Sequence, residues 1–248
     1  MNGRVFWTFG VGLGLAAALA ASLALAEKSP PAPAIPSVAA SAARPTVLEL
    51  FQSQGCSSCP PANANLNAIA DRPDVLALSF PVTYWNYLGW KDTFSQPAFT
   101  QRQKDYAAGP LGSQVGTPEM VVNGRIDLIG QDPGEVESAL RKGGAPGGPA
   151  VSVEPGKVII ASGISLARPA DVWLVRYDPR TLNVPVKRGE NAGRTLPHRN
   201  IVRQLVRIGE WNGAAASYAL PPVSDPALRT AVLVQAGRGG PILGAGRR

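Results

Sequence analysis

The first half of the chain alternates short apolar runs with a stretch of helical periodicity. Residues 46–51 and 75–82 are apolar runs, which predicts two buried strands. Between them, Ala62 and Leu66 belong to an apolar series with the spacing of one helix face. The pattern therefore predicts a strand, an amphipathic helix that begins at Cys56, and a second strand.

Punctuating residues extend this order into a second helix, a hairpin and a third helix. The second helix is predicted from a cap at Ser95 to a stop at Gly109-Pro110. Asn123-Gly124, between two apolar runs, is the strongest short signal for a hairpin. Asp132 is predicted to cap a last helix. The resulting order, β-α-β-α-β-β-α over residues 46–142, is that of the minimal thioredoxin fold.

The second half of the chain has a different pattern. Beyond a stretch rich in Gly and Pro at 143–150, the apolar runs are short and are separated by Pro, Gly and Asn. Several short strands with turn signals and no convincing helix predict a small β-sandwich over residues 151–248. We therefore expect an α/β thioredoxin-like domain followed, after a linker at 143–150, by a small, mostly β, sandwich-like C-terminal domain.

The first 26 residues have the parts of a secretory signal. Arg4 precedes a long apolar stretch, and Ala24-Leu25-Ala26 forms an A-x-A cleavage site. Residues 27–45 are mostly Pro, Ala and Ser, which predicts a semi-rigid linker. We expect a periplasmic or secreted protein that contacts a membrane only if the signal segment stays uncleaved as an anchor. The net charge of +7 is typical of a soluble protein rather than of a nucleic-acid-binding module.

Cys56 and Cys59 are the only cysteines, and they lie where a predicted strand leads into a predicted helix. A thiol at a helix N-terminus is favoured as the thiolate, the form that attacks a disulfide. We therefore expect a redox centre with a partly exposed, nucleophilic Cys56 and a buried Cys59. A structural disulfide is the alternative, although closing so short a loop contributes only about 2 kcal/mol. Metal binding is a weaker alternative because four local ligands are not available, and only Met120 could join the thiols on a soft ion.

The chain resembles a bacterial secreted thioredoxin-like family of unknown function in its longer motifs, which include SQGCSSCPP at 53–61, LGWKD at 88–92 and GENAGR at 189–194. The resemblance covers residues 46–245. It implies that Cys56 attacks a disulfide and that Cys59 resolves the product. It also implies that Gly116, Thr117 and a cis Pro118 form a turn whose backbone pairs with an extended substrate.

Several further residues are candidates for the site. Glu49 accepts a proton from Cys59 if a bulge shifts the strand register, and is otherwise salt-bridged or exposed at an edge. Trp85 and Trp90 belong to an aromatic insertion that either packs over the core edge or floors a substrate groove. His198, the one histidine, is expected to be a hydrogen-bonded loop residue rather than a ligand or a base.

These features predict an exported thiol-disulfide oxidoreductase that exchanges disulfides with protein or peptide thiols through its Cys-Ser-Ser-Cys motif. The alternative is a non-catalytic periplasmic module that binds a peptide or a partner on the same scaffold. We expect no cofactor, no metal ion and no nucleic acid. Because no histidine or cation lies between the cysteines, the motif favours neither a strong oxidant nor a clear reductant.

Overall fold

The computed structural model describes residues 1–3, 38–223 and 225–248, and those from 38 onward belong to one compact unit, Ala32–Arg248. The signal segment predicted at 1–26 lies outside the described residues except for its first three, and so does most of the linker predicted at 27–45. Both stay predictions. Among the described residues, no helix is long and apolar enough to cross a membrane.

We call residues up to 143 the first half of the chain and the residues after 143 the second half. All three α-helices of the described residues lie in the first half, together with the first four strands. The elements of this half are β1 (Thr46–Gln52), α1 (Cys59–Ile69), β2 (Val75–Pro81), a 3₁₀ turn (Asn86–Leu88), α2 (Pro97–Ala108), β3 (Glu119–Val122), β4 (Ile126–Leu128) and α3 (Pro133–Gly143). The second half contributes strands only: β5 (Val151–Glu154), β6 (Lys157–Ile160), β7 (Ala170–Asp178), β8 (Leu182–Pro185), β9 (Thr195–His198), β10 (Ile201–Trp211), β11 (Ala216–Ala219), β12 (Arg229–Gln235) and β13 (Ile242–Arg247).

One mixed sheet runs through both halves of the chain. Its eight strands have the order β13-β12-β7-β10-β2-β1-β3-β4. Strand β2 pairs in parallel with β1 along its length, and Ser79 on its other side pairs with Ile201 of β10. The amide of Ser79 donates to the Asn200 carbonyl at 2.9 Å. The two halves are thus joined by strand pairing at the middle of the sheet.

This sheet shows that the predicted fold class is wrong. We expected a thioredoxin-like α/β domain followed by a separate β-sandwich, whereas the chain is mostly β and its largest sheet takes four strands from each half. The prediction failed because a continuous apolar run such as 75–82 indicates a buried strand but not which strand lies beside it. The division into two domains, at 46–142 and 151–248, stays a prediction.

The two faces of β1 separate two parts of the core. Leu48 and Leu50 lie in a cluster with residues of α1 and α3, whereas Val47 and Phe51 lie in a cluster with residues of α2 and of strands from the second half. Successive side chains of a strand point to opposite faces. Glu49 is therefore on the face of β1 that is covered by α2.

A hairpin outside the large sheet extends towards the end of β1. Strands β8 and β9 pair from Leu182 with His198 to Pro185 with Thr195. The Val186 amide donates to the Arg194 carbonyl and the Gly193 amide donates to the Val186 carbonyl, both at 2.9 Å, and these bonds continue the ladder. We call residues 186–194 the hairpin tip. It brings a segment of the second half of the chain to the cysteine pair.

Candidate functional site

The two cysteines form a disulfide in the loop that follows β1. We call residues 53–58 the cysteine loop. Helix α1 begins at Cys59 rather than at the predicted Cys56, and Ser58 is its N-cap residue. The later start places Pro60 in the first turn, where its lack of an N–H costs no helical hydrogen bond. Cys56 consequently lies just outside the helix, with its Sγ 3.3 Å from the Ser58 Oγ.

Neither cysteine is accessible in this oxidised state. Cys56 is 0% exposed and Cys59 is 2% exposed, although Ser57 and Ser58 between them are exposed. The expectation of a partly exposed Cys56 is therefore wrong for the disulfide form, whereas the expected burial of Cys59 is confirmed. Both cysteines are thus covered by other parts of the protein.

Side chains from distant segments hold the backbone of the cysteine loop. Asn191 donates through Nδ2 to the carbonyls of Gln54 and Cys56 at 2.9 and 2.8 Å. Glu190 accepts from the Ser57 amide at 3.0 Å. Both residues belong to the hairpin tip, so the second half of the chain is part of the site.

Two further side chains complete this support. Gln131 donates through Nε2 to the Ser58 carbonyl at 2.7 Å. Asp92 accepts from the Gln54 amide at 2.8 Å and from the Phe94 amide at 2.8 Å. The loop is therefore held by the segment after β4, by the aromatic insertion and by the hairpin tip.

Among the ionisable side chains that support the loop, Asp92 has the pKa that is shifted furthest from its usual value. Its side chain is 1% exposed, and this burial raises its pKa to about 6. Backbone N–H groups, including that of Gln54, partly offset the effect because they favour the carboxylate. A carboxyl group that titrates near pH 6 and bonds the cysteine loop couples protonation to the geometry of the loop.

The two tryptophans predicted to bind substrate lie beside the cysteine loop. Trp90 donates through Nε1 to the Gln54 Oε1 at 3.0 Å. Trp85 is half-buried, and a Cβ added at Gly55 would lie 3.9 Å from the Trp85 Cβ. Both residues therefore lie beside the cysteine loop, and substrate binding by them stays a prediction.

The predicted turn also lies beside the loop. The Thr117-Pro118 bond is cis, as predicted, and Pro118 is buried. The Ser58 hydroxyl donates to the Thr117 carbonyl at 3.4 Å. The Gly116 carbonyl accepts from the Gln103 Nε2 at 2.6 Å, which ties the turn to α2.

Glu49 has other partners than the cysteines. Its two carboxylate oxygens accept from Arg102 at 2.6 and 3.1 Å, and one of them also accepts from the Tyr106 hydroxyl. The Glu49 side chain is 0% exposed and that of Arg102 is 5% exposed. The structure thus shows the salt-bridged alternative, in which Glu49 joins β1 to α2. We leave Glu49 out of the mechanism proposed below.

His198 is buried and lies in β9 rather than in a loop. It is 1% exposed, neither ring nitrogen has a hydrogen-bond partner, and burial lowers its pKa to about 4. Our expectation of a hydrogen-bonded loop residue is therefore wrong. In the part of the chain that the structure describes, no cluster of three or more His, Cys, Asp or Glu side chains is placed to hold a metal ion.

Sequence reasoning missed the residues that support the loop. Asp92, Glu190 and Asn191 were present in the LGWKD and GENAGR motifs, but no role followed from the motifs themselves. No motif in the sequence indicated a role for Gln131. Asp92 binds a backbone amide 38 residues away and Asn191 binds carbonyls 137 and 135 residues away, and no local pattern reveals contacts between such distant segments.

Comparison with known proteins finds a matching family and solved structures of similar fold. The model of a family described as "Protein of unknown function (DUF1223)" matches residues 47–235. A structural-genomics target from Agrobacterium tumefaciens is 31% identical, with a TM-score of 0.67 over 85% of this chain and 95% of that one. HBP35 of Porphyromonas gingivalis is 13% identical, with a TM-score of 0.60 over 86% of this chain and 76% of that one, which shows a likeness of fold alone. No curated protein matches the chain.

Proposed function

The chain belongs to the DUF1223 family of proteins of unknown function, and we propose that it is an exported thiol-disulfide oxidoreductase that acts through Cys56 and Cys59. One observation carries the proposal. The only two cysteines of the chain form a disulfide at the start of α1, beside the Thr117-Pro118 turn. A bridge across so short a loop adds little stability, about 2 kcal/mol, so a structural role explains it poorly.

The proposed reaction exchanges two electrons between dithiol and disulfide. A thiolate of a protein or peptide substrate attacks the Cys56 Sγ, a mixed disulfide forms, and the electron pair of the broken bond passes to the Cys59 Sγ. A second substrate thiolate then attacks the substrate sulfur of the mixed disulfide and releases Cys56 as a thiolate. The substrate is oxidised to a disulfide, and the protein is reduced to a dithiol that takes up two protons. The reverse sequence reduces a substrate.

Local groups favour a thiolate at Cys56. We therefore assign Cys56 as the sulfur that a substrate thiolate attacks and that, in the reverse reaction, attacks a substrate disulfide. The Ser58 hydroxyl lies 3.3 Å from the Cys56 Sγ and, on turning from the Thr117 carbonyl, can donate its hydrogen bond to a thiolate there. The N-terminal end of α1 adds a favourable dipole field close by. The proposal includes a periplasmic or secreted location, which rests on the signal pattern at residues 1–26. It also includes redox partner proteins in that compartment.

One observation favours the alternative of a non-catalytic binding module. Both cysteines are buried, so no thiol reaches a sulfur in this conformation. Tyr87, in the 3₁₀ turn Asn86–Leu88, is 82% exposed and offers a contact for a partner that does not need the sulfurs. Under this alternative Tyr87→Ala weakens partner binding and Cys56→Ser does not.

Trapping of mixed disulfides separates the two functions. In a Cys59→Ala variant the resolving thiol is absent, so substrates should stay linked to Cys56 in adducts that dithiothreitol releases. The Cys56→Ala variant is the matched control and should trap much less. The exchange proposal fails if Cys59→Ala forms no such adducts when it is expressed in an exporting host, or if both variants trap the same proteins equally.

A further inference from the structure

The hairpin tip is fastened to the cysteine loop by a side chain that is itself buried. Asn191 is 0% exposed, and its Nδ2 bridges the carbonyls of Gln54 and Cys56. Its Oδ1 accepts from the Arg194 Nη1 at 2.8 Å. The side-chain amide is thereby engaged at both ends, and the tip is fastened to the cysteine loop on the two sides of Gly55.

Glu190 makes a second, weaker contact next to the first. Its carboxylate accepts from the Ser57 amide, and hydrogen bonds from the Ser57 side chain and amide lower the pKa of Glu190. Both Glu190 and Ser57 are exposed, so water competes for the bond. Asn191 should therefore contribute more than Glu190 to holding the tip in place.

We propose that Asn191, assisted by Glu190, is a positioning residue that decides which thiols reach the Cys56–Cys59 disulfide. The inference rests on the proposed function, which it deepens. Attack on a disulfide requires the thiolate to approach a sulfur along the S–S bond, and both cysteines are buried in the structure, in which the tip is fastened to their loop. The substrate is accordingly a polypeptide thiol that displaces residues 186–194, and small free thiols are disfavoured.

The rate of disulfide reduction by dithiothreitol tests this inference. Wild type should react at least about tenfold more slowly than a synthetic peptide of residues 53–61, in which nothing covers the same disulfide. Asn191→Ala should react at least about tenfold faster than wild type. This factor corresponds to about 1.4 kcal/mol, within the range expected when a buried hydrogen-bonding group is removed. Asn191→Asp should also accelerate reduction, because a carboxylate cannot donate to two carbonyls. Glu190→Gln should change the rate less than about threefold.

Asn123→Ala is the matched control for general destabilisation. The Nδ2 of Asn123 also bridges two carbonyls, those of Gly143 and Gly144, at 3.3 and 2.8 Å. This variant should lose stability in thermal unfolding and yet reduce within about twofold of the wild-type rate at a temperature where it is folded.

Two results overturn the inference, and neither is the failure of the proposed function. Equal rates for wild type and the free peptide would show that nothing guards the disulfide, a result that does not need any variant to fold. Equal acceleration by Asn191→Ala and Asn123→Ala would assign the effect to global opening. If Asn191→Ala accelerates reduction but Cys59→Ala traps no substrate, the disulfide is guarded and the exchange function is wrong.

Discussion

Replacing Glu49 by Gln separates a structural role for this carboxylate from a role in thiol chemistry. Glu49 and Arg102 form an ion pair between β1 and α2 at 2.6 Å, with side chains 0% and 5% exposed. The substitution keeps the size of the side chain and removes its charge. It leaves the guanidinium of Arg102 buried with only the neutral partners Gln235 and Tyr106.

The expected loss of stability follows from this burial. Removing one member of a buried ion pair costs about 3–5 kcal/mol, because the remaining charge stays in the interior without compensation. Gln at position 49 can still accept one hydrogen bond from Arg102, so we expect the lower end, about 3 kcal/mol. For a chain of this size this is a fall in Tm of about 6–12 °C. The double variant Glu49→Gln/Arg102→Met should lose less than the sum of the two single changes, because it leaves no buried charge.

Urea unfolding followed by tryptophan fluorescence measures this change. Trp173 is a suitable probe because its ring lies 5.9 Å from the Arg102 guanidinium carbon. The same variant should exchange disulfides with an unchanged pH profile, measured where the protein remains folded. A loss of less than about 1 kcal/mol would refute the account of the ion pair. A shifted pH profile of exchange would instead restore Glu49 as the proton acceptor for Cys59.

Two further predictions concern buried ionisable groups. The pKa of Asp92 is raised from 3.8 to about 6, so the native state binds a proton more tightly than the unfolded state. The free energy of unfolding should therefore fall by about 3 kcal/mol as pH rises through this interval, and Asp92→Asn should lack that fall in urea titrations at several pH values. The pKa of His198 is lowered from 6.5 to about 4, so stability should instead fall by about 3 kcal/mol as pH drops through that interval. His198→Leu should abolish this dependence and cost little at pH 7, since neither ring nitrogen has a partner; an unchanged acid dependence in the variant would contradict the assignment.

Local patterns predicted the three helices and the hairpin of the first half, although α1 begins at Cys59 rather than at Cys56 and the N-cap of α2 is Gln96 rather than Ser95. Helix α3 begins after Asp132, whose Oδ1 accepts from the Gly134 and Glu135 amides at 2.6 and 3.0 Å, as the capping signal indicated. The hairpin at Asn123-Gly124 is also confirmed, and so is the cis bond at Thr117-Pro118, which the family resemblance implied. Each of these features depends on residues that are neighbours in the sequence.

The arrangement of the halves could not be predicted in the same way. The pairing of Ser79 with Ile201 joins strands that are remote in sequence, and nothing in either apolar run specifies the partner. The contacts that support the cysteine loop could not be predicted for the same reason, since Asn191 binds carbonyls 137 and 135 residues away. Periodicity reports which residues are buried, whereas these contacts depend on which buried surfaces meet.

The reduction potential of the Cys56–Cys59 pair tests the central claim most directly. The purified protein is equilibrated with glutathione or dithiothreitol redox buffers, and the fractions of dithiol and disulfide are measured after acid quenching and alkylation. An exchange centre should have a potential between about −270 and −120 mV, the span of proteins that exchange disulfides catalytically. A potential below about −300 mV would mean that the pair is a structural bridge and would contradict the account.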